Sequence, residues 1–376
     1  MTPPVRTALV LDVDTGIDDS LALLYAVASP EAEIIAVTCV GGNVAARQVE
    51  LNTRAVLELA GRDDVEVALG RETPLRKPVQ IAAETHGPRG LGHAEPPPPR
   101  RPLSERHAAD VIAEAARDRP GEVTLVTLGP LTNLAVALDR EPDLPHLLRR
   151  WVLMGGAFRA PGNTTPTAEW NIHVDPDAAK ACFAAWAEAE EAADAAARPI
   201  PKPLAMGLDV TERARFVSGD MVRLAVVAGC TPADAARLAG PGEVRMLPIG
   251  SVRVDPIVAF VADALRFYFE FHERYDGFYG AFLHDPFAVA AALDPALVRT
   301  LPVHVDVEAG PGLAHGMTVA DWRGLTGRPP NVDVAIEGDA SGFLDRLVER
   351  VGAFAALRAA AGGPATAGAQ AGRAAG

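Results

Sequence analysis

Four carboxylates fall within eight residues near the start of the chain, Asp12-Val13-Asp14-Thr15-Gly16-Ile17-Asp18-Asp19. Acids brought this close repel one another and resist ionisation unless a cation or a partner neutralises them. Carboxylate oxygens with no accompanying Cys/His cluster suit a hard divalent ion such as calcium or magnesium. Part of the set has a plainer use: Asp18 stands where a helix would begin, and the helix dipole favours acids in a first turn. Capping accounts for one acid or two, but not for four on one turn. A second group, Gly162-Asn163-Thr164-Thr165-Pro166-Thr167-Ala168-Glu169-Trp170-Asn171, offers two carboxamides and a carboxylate beside an aromatic ring. Amides that donate and accept, with a carboxylate that accepts, suit a polyhydroxylated uncharged ligand, although Asn-rich loops also serve ordinary turn chemistry. A third group, His284-Asp285-Pro286, joins a side chain able to move protons near neutral pH to one more acid. Asp285 also stands where a helix would start.

Elements must bring these residues together. The apolar run Thr7-Ala8-Leu9-Val10-Leu11 reads as a buried parallel strand, with a helix over 19–28, so the first acids lie on a strand-to-helix turn. Open α/β sheets bind ligands at such carboxyl ends. Further strands are expected at 33–40, 65–69, 122–128, 151–154 and 203–208, with helices at 44–60 and 108–117. Helices dominate 217–292. Short strands around Val303 and at 332–336 precede a closing helix at 341–360. The expected fold is an open, mostly parallel, Rossmann-like sheet flanked by helices, with a helical C-terminal portion. Residues 1–361 read as a single domain and 362–376 as a disordered Ala/Gly tail. Val40-Gly41-Gly42-Asn43 and Leu128-Gly129-Pro130-Leu131-Thr132-Asn133 close two strands facing one crevice, over which the glycine-hinged loop 85–92 could fold. The proline run 96–99 reads as a long loop of the kind that forms lids, and 184–198 as an exposed helix.

The formal net charge is −14, and Lys77, Lys180 and Lys202 are the only lysines, which excludes a phosphate-neutralising nucleic-acid surface. Cys39, Cys182 and Cys230 are too far apart for a metal-binding pair and odd in number for a disulfide framework. No apolar run is long enough to span a bilayer, and no basic region leads into a signal-type core. A cytoplasmic protein without membrane partners is expected.

Taken in order, these stretches resemble the inosine–uridine-preferring nucleoside hydrolase family. The similarity begins with Asp12–Asp19, which follows a DxDxGxDD signature. It runs on through Gly42-Asn43, His86-Gly87, Gly129 to Asn133, Met154-Gly155-Gly156, Asn163, Glu169-Trp170-Asn171 and His284-Asp285-Pro286. The resemblance implies cleavage of the N-glycosidic bond of ribonucleosides by water, with a calcium ion at the pocket floor. By that likeness Asp14, Asp19, Asp285 and the backbone carbonyl of Leu128 would hold the ion, and Asp14 would be the general base. Asp18, Asn163, Glu169 and Asn171 would grip the ribose hydroxyls with Asn43 nearby, Met154 would pack on the sugar, and Asp12 would support the cluster from behind. His284 would activate the leaving base and His86 would line its pocket; His93 has no counterpart and reads as solvent-exposed. Family members are commonly dimers or tetramers, so a homo-oligomer acting on a small nucleoside is implied.

Two departures stand out. Thr15 replaces a proline found in many members, and 228–252 follows no family pattern. Base contacts would come from the aromatic-rich stretch beyond it, where Tyr268, Tyr275, Phe278 and Tyr279 are candidates. A haloacid-dehalogenase-type phosphatase also begins with DxD after a first strand. Here, however, Thr15 precedes Gly16, lysines are scarce, and Asp18 and Asp19 would repel a phosphate. A catalytically silent sugar or nucleoside binder would not need Asp14, Asn171 and His284 together.

Overall fold

The computed structural model describes residues 6–192, 199–239 and 255–361. Among them the strands are β1 (Thr7–Val13), β2 (Ala32–Cys39), β3 (Glu66–Leu69), β4 (Val123–Thr127), β5 (Arg150–Met154), β6 (Leu204–Met206), β7 (Arg215–Val217), β8 (Gly280–Phe282), β9 (Val298–Val307), β10 (Thr318–Asp321) and β11 (Val332–Gly338). Nine form one sheet in the order β10-β9-β11-β6-β5-β4-β1-β2-β3. β1 to β6 and β11 run parallel, while β9 and β10 add an antiparallel margin. β7 and β8 form a separate antiparallel ribbon.

Alternation along each strand decides the layers. β1 sends Leu9, Leu11 and Val13 into one buried cluster and Val10 into the other, as a two-residue period requires. β4 and β5 do the same, with Val126, Val152 and Met154 on the first side and Leu125, Trp151 and Leu153 on the second. Helices Ile17–Ala28, Pro256–Tyr275, His284–Leu293 and Ala340–Ala360 cover the first face. Ala108–Asp118, Thr132–Arg140 and Pro176–Ala192 cover the second. Phe287 stacks on Phe343 at 4.7 Å, locking two of the covering helices together.

The chain passes from β1 outward to β2 and β3, then returns to β4 on the other side of β1. Strand order therefore reverses between β1 and β4, and the loops leaving their carboxyl ends diverge to open a crevice. The Asp12–Asp19 and Leu128–Asn133 turns both lie there.

The expected open, mostly parallel α/β sheet is the one observed, with a helical C-terminal portion. Three local expectations differ. The loop after the proline run does not offer a lid: the backbone N–H groups of Arg100 and Arg101 donate to Glu58 at 2.7 and 2.8 Å, tying it to the far end of helix Ala46–Leu59. The helix expected at 184–198 begins at Pro176 and is described as far as Ala192, residues 193–198 lying outside the described residues; within it Trp186 is buried against Trp151 rather than exposed. The short strands β7, β8 and β10 were not anticipated, because three or four residues are too few to show a period. The tail at 362–376 and the part of 228–252 from residue 240 onward lie outside the described residues.

Candidate active site

The site starts where β1 ends. Asp19, rather than the expected Asp18, satisfies the opening of helix Ile17–Ala28: its Oδ2 accepts from the N–H of Gly16 at 2.8 Å, and its Oδ1 from the N–H of Asp14 at 3.2 Å. Asp14 Oδ2 accepts from the N–H of Asn43 at 2.8 Å. That approach requires Gly42, where a Cβ would stand 2.1 Å from the same oxygen. Asp14 Oδ1 is buried and accepts no hydrogen bond. Asp12 lies behind, its Oδ1 accepting from Thr38 Oγ1 at 2.6 Å and Asn133 Nδ2 at 2.8 Å. Asp285, from the first turn of helix His284–Leu293, joins the group across the crevice.

All five acids are at most 4% exposed. Burial, with mutual repulsion added, pushes Asp18 up to about 8 and Asp14 and Asp285 well above the usual carboxylate range. Asp12 rises to about 7, chiefly by burial. Asp19 rises only to about 6, because backbone donors oppose its burial. Such a cluster ionises fully only when positive charge enters it. Asp18, Asp19 and Asp285 bring carboxylate oxygens within 4.8 Å of one another, close enough to share a metal ion. This trio contains Asp18 where the sequence reading had Asp14. The donors are all oxygen and Asp14 Oδ1 has no other partner, so the residues present fit a hard divalent cation.

The second face of the crevice comes from the loop after β5. Glu169 caps helix Trp170–Val174: Oε1 accepts from the N–H of Asn171 at 2.8 Å, and Oε2 from those of Gly156 and Ile172 at 3.0 and 3.1 Å. Asn171 is thereby fixed with its Nδ2 donating to the carbonyl oxygens of Leu128 at 2.6 Å and Met154 at 3.2 Å. Leu128, Met154, Glu169 and Asn171 thus form one bonded group between β4 and β5. Asn163 is more peripheral and exposed, its Oδ1 accepting from the N–H of Trp170 at 2.9 Å. Asn43 also reaches Asp19 Oδ2 through its Nδ2 at 3.2 Å, joining the acid turn instead.

The third face is made of imidazoles and aromatic rings. His86 Nδ1 accepts from the N–H of Ile17 at 3.1 Å, so its proton sits on Nε2. This bond holds the 85–92 loop against the acid turn. Asn52 Nδ2 donates to the carbonyl of Arg89 at 2.7 Å, and His93, exposed as expected, pairs with Glu270 at 2.9 Å. His284 Nδ1 lies 2.8 Å from Thr211 Oγ1. Burial lowers both His86 and His284 to about 3. Of the aromatic candidates, Tyr268 faces His86 with ring centres 5.5 Å apart. Tyr279 packs on Phe269, and Tyr275 is exposed beside Phe271. Phe278 stacks at 5.5 Å on a residue not singled out in the sequence, His272. Helical spacing could have found it, since Tyr268 and His272 share one face of Pro256–Tyr275 at i and i+4. Thr211 and Thr38, which hold His284 and Asp12, carried no local signal.

Several known proteins are similar to this chain. Residues 9–345 match the model of the inosine-uridine preferring nucleoside hydrolase family. The chain is 37% identical over 350 residues to the pyrimidine-specific ribonucleoside hydrolase RihA of Salmonella paratyphi B, covering 92% of this chain and 99% of that one. Among solved structures it is similar to a purine-preferring ribonucleoside hydrolase from Gardnerella vaginalis, with a TM-score of 0.79, 30% identity, and 93% and 99% of the two chains covered. It is also similar to a plant nucleoside hydrolase, PpNRh1, with a TM-score of 0.77, 29% identity, and coverage of 93% and 99%.

Proposed function

The chain belongs to the inosine–uridine preferring nucleoside hydrolase family, and from that premise we propose how its own residues serve the reaction. It hydrolyses ribonucleosides to ribose and free base. The observation that carries the residue assignment is the buried acid turn at the β1–β4 crevice, with Asp14 Oδ1 left unpartnered.

We assign the acid cluster to calcium, held by Asp14, Asp19, Asp285 and the carbonyl oxygen of Leu128, with Asp18 at the border between ion and sugar. When bound, the ion supplies the positive charge that lets the acids ionise, and it makes a neighbouring water more acidic. Asp14 is the general base: the N–H of Asn43 fixes one carboxylate oxygen and leaves the other for the water's proton. Asp18, Asn43, Asn163, Glu169 and Asn171 take the ribose hydroxyls. Glu169 gives three acceptor sites to backbone donors and retains another, since an ionised carboxylate offers about four. Met154 flanks the sugar, while Asp12 holds the turn through Thr38 and Asn133. His284 and His86 lie on the leaving-group side, His284 activating the base and His86 offering Nε2–H to it.

The relatives differ in the base they are named for. Identity is higher to the pyrimidine-specific relative than to the purine-preferring one, so we propose uridine and cytidine as preferred substrates. We further propose one domain over 1–361 and a cytoplasmic homo-oligomer, a dimer or tetramer; no helix of the described residues is long and apolar enough to cross a membrane.

The test is ribose release from uridine, cytidine, inosine and adenosine, measured as reducing sugar. Turnover of the pyrimidine nucleosides at the highest rate is expected. Absence of ribose from all four would overturn the reading.

A further inference from the structure

His272 lies in the last turn of helix Pro256–Tyr275, and Asp276 follows as that helix's C-cap. Tyr268, His272 and Asp276 are spaced four apart and share one face. The His272 Nδ1 lies 2.7 Å from Asp276 Oδ2, which makes Nδ1 the donor and turns Nε2 toward the other side of the ring. Nε2 is buried and has no hydrogen-bond partner. The residue is only 5% exposed, and the rings of Tyr268, Phe271, Phe278 and Phe282 surround it at 4.6 to 5.5 Å. An unpartnered ring nitrogen in an apolar cage is costly for folding alone, so it calls for a partner that arrives later.

The place of this dyad supplies the partner. Tyr268 touches both His272 and His86, and it lies within electrostatic reach of Asp18, Asp285 and Asp19. His86 and His284 both lie close enough to feel a charge on His272. The dyad therefore borders the leaving-group side of the crevice, opposite the acid turn. It differs from the other two imidazoles in its partner. His86 Nδ1 meets a backbone N–H and His284 Nδ1 a hydroxyl, while His272 alone of the three meets a carboxylate. Burial holds the His272 pKa below the ordinary imidazole value, while the Asp276 carboxylate and the negative end of the helix dipole oppose that fall and favour the protonated ring.

We propose that His272, held by Asp276, is a second proton donor to the departing base, separate from His284. The inference rests on the nucleoside hydrolase reading above. As the C1′–N bond breaks, its electron pair leaves with the base, which takes the Nε2 proton of the His272 imidazolium and leaves a neutral ring with its remaining proton on Nδ1, facing Asp276. Water forms the new C1′–O bond and gives its proton to Asp14. Solvent then reprotonates His272 and accepts the proton from Asp14, so that nucleoside and water become ribose and base. Nε2 becomes accessible when the Phe278 or Phe282 ring turns aside, and the same rings then offer the base a stacking surface.

A leaving group that needs no proton separates this role from a structural one. The full-length protein and its His272→Gln and Asp276→Asn variants are assayed on uridine, inosine and p-nitrophenyl β-D-ribofuranoside, with folding checked by thermal melting. His272→Gln is expected to lower nucleoside kcat by about 100-fold, within the usual range for loss of a general acid. Its rate on the nitrophenyl riboside should change less than about threefold, and Asp276→Asn should show the same selectivity at smaller size. Asp276 is on the exposed rim and so remains informative if His272→Gln folds poorly. Parallel losses on all three substrates, or unchanged nucleoside turnover, overturn the proposal while leaving the hydrolase reading intact. A wild-type protein that cleaves none of the three overturns both.

Discussion

The crevice has two unlike ends. The acid end draws four of its five carboxylates from one turn of eight residues, and backbone N–H groups fix their geometry at Gly16, Asp14 and Asn43. The imidazole end is gathered from residue 86, the helix Pro256–Tyr275, β8 and residue 284, and ring packing holds it more than hydrogen bonding does. Hydrogen-bonded backbone permits little variation, whereas packed rings can be exchanged for others of similar volume. The difference teaches a division of labour. On the proposed assignment the rigid end carries what every nucleoside shares, the ribose and the water, and the packed end meets what differs, the base.

That division can be broken most sharply at Asp14. Asp14→Asn keeps the shape and the bond from the Asn43 N–H but removes the proposed base, and kcat should fall about 1,000-fold for every nucleoside alike, in line with loss of a general base. A loss that differed strongly among nucleosides would erase the distinction between the ends. At the other end, Phe278→Ala should alter discrimination: the ratio of kcat/KM for uridine and inosine should move by about tenfold, the scale of one pocket contact. A change common to both substrates would place Phe278 outside base recognition.

A smaller effect concerns stability. Asp18 and Asp19 titrate at about 8 and about 6 in the fold, against 3.8 for an ordinary aspartate. A raised carboxyl pKa means the folded state binds protons more tightly than the unfolded chain. The stabilisation is complete below the ordinary value and is lost as pH rises through the folded values. Protein stripped of divalent ions should therefore melt several degrees lower at pH 8 than at pH 5. Added calcium should remove most of that fall by replacing protons as the neutraliser. Equal melting temperatures at the two pH values in chelator would contradict the cluster's electrostatics. His86 and His284 make no comparable demand, since burial keeps both rings neutral.

The same contrast explains what was legible in the sequence. The β1–β6 succession showed because buried parallel strands are continuous apolar runs of useful length, such as Ala8-Leu9-Val10-Leu11. The acid turn showed because its residues are neighbours in the chain. Asp285, Asn163, Glu169 and Asn171 became readable only through their order along the chain; the structure brings Asp285, Glu169 and Asn171 to the crevice and leaves Asn163 exposed at its periphery. His272 did not show, because Phe278 and Phe282 meet it only after folding, and a lone histidine in an aromatic helix looks like core. The choice between Asp18 and Asp19 as helix cap was likewise undecidable from sequence: both stand in the first turn, and only the backbone path shows which carboxylate turns back to Gly16.

The central claim is that the buried acids are one divalent-cation site on which turnover depends. It is tested most directly by titrating calcium into chelator-stripped protein while following both heat of binding and uridine hydrolysis. One ion per chain is expected, with activity restored in step with occupancy and with both signals greatly weakened in Asp285→Asn. Full activity in the stripped protein, or calcium binding unaffected by loss of Asp285, would contradict it.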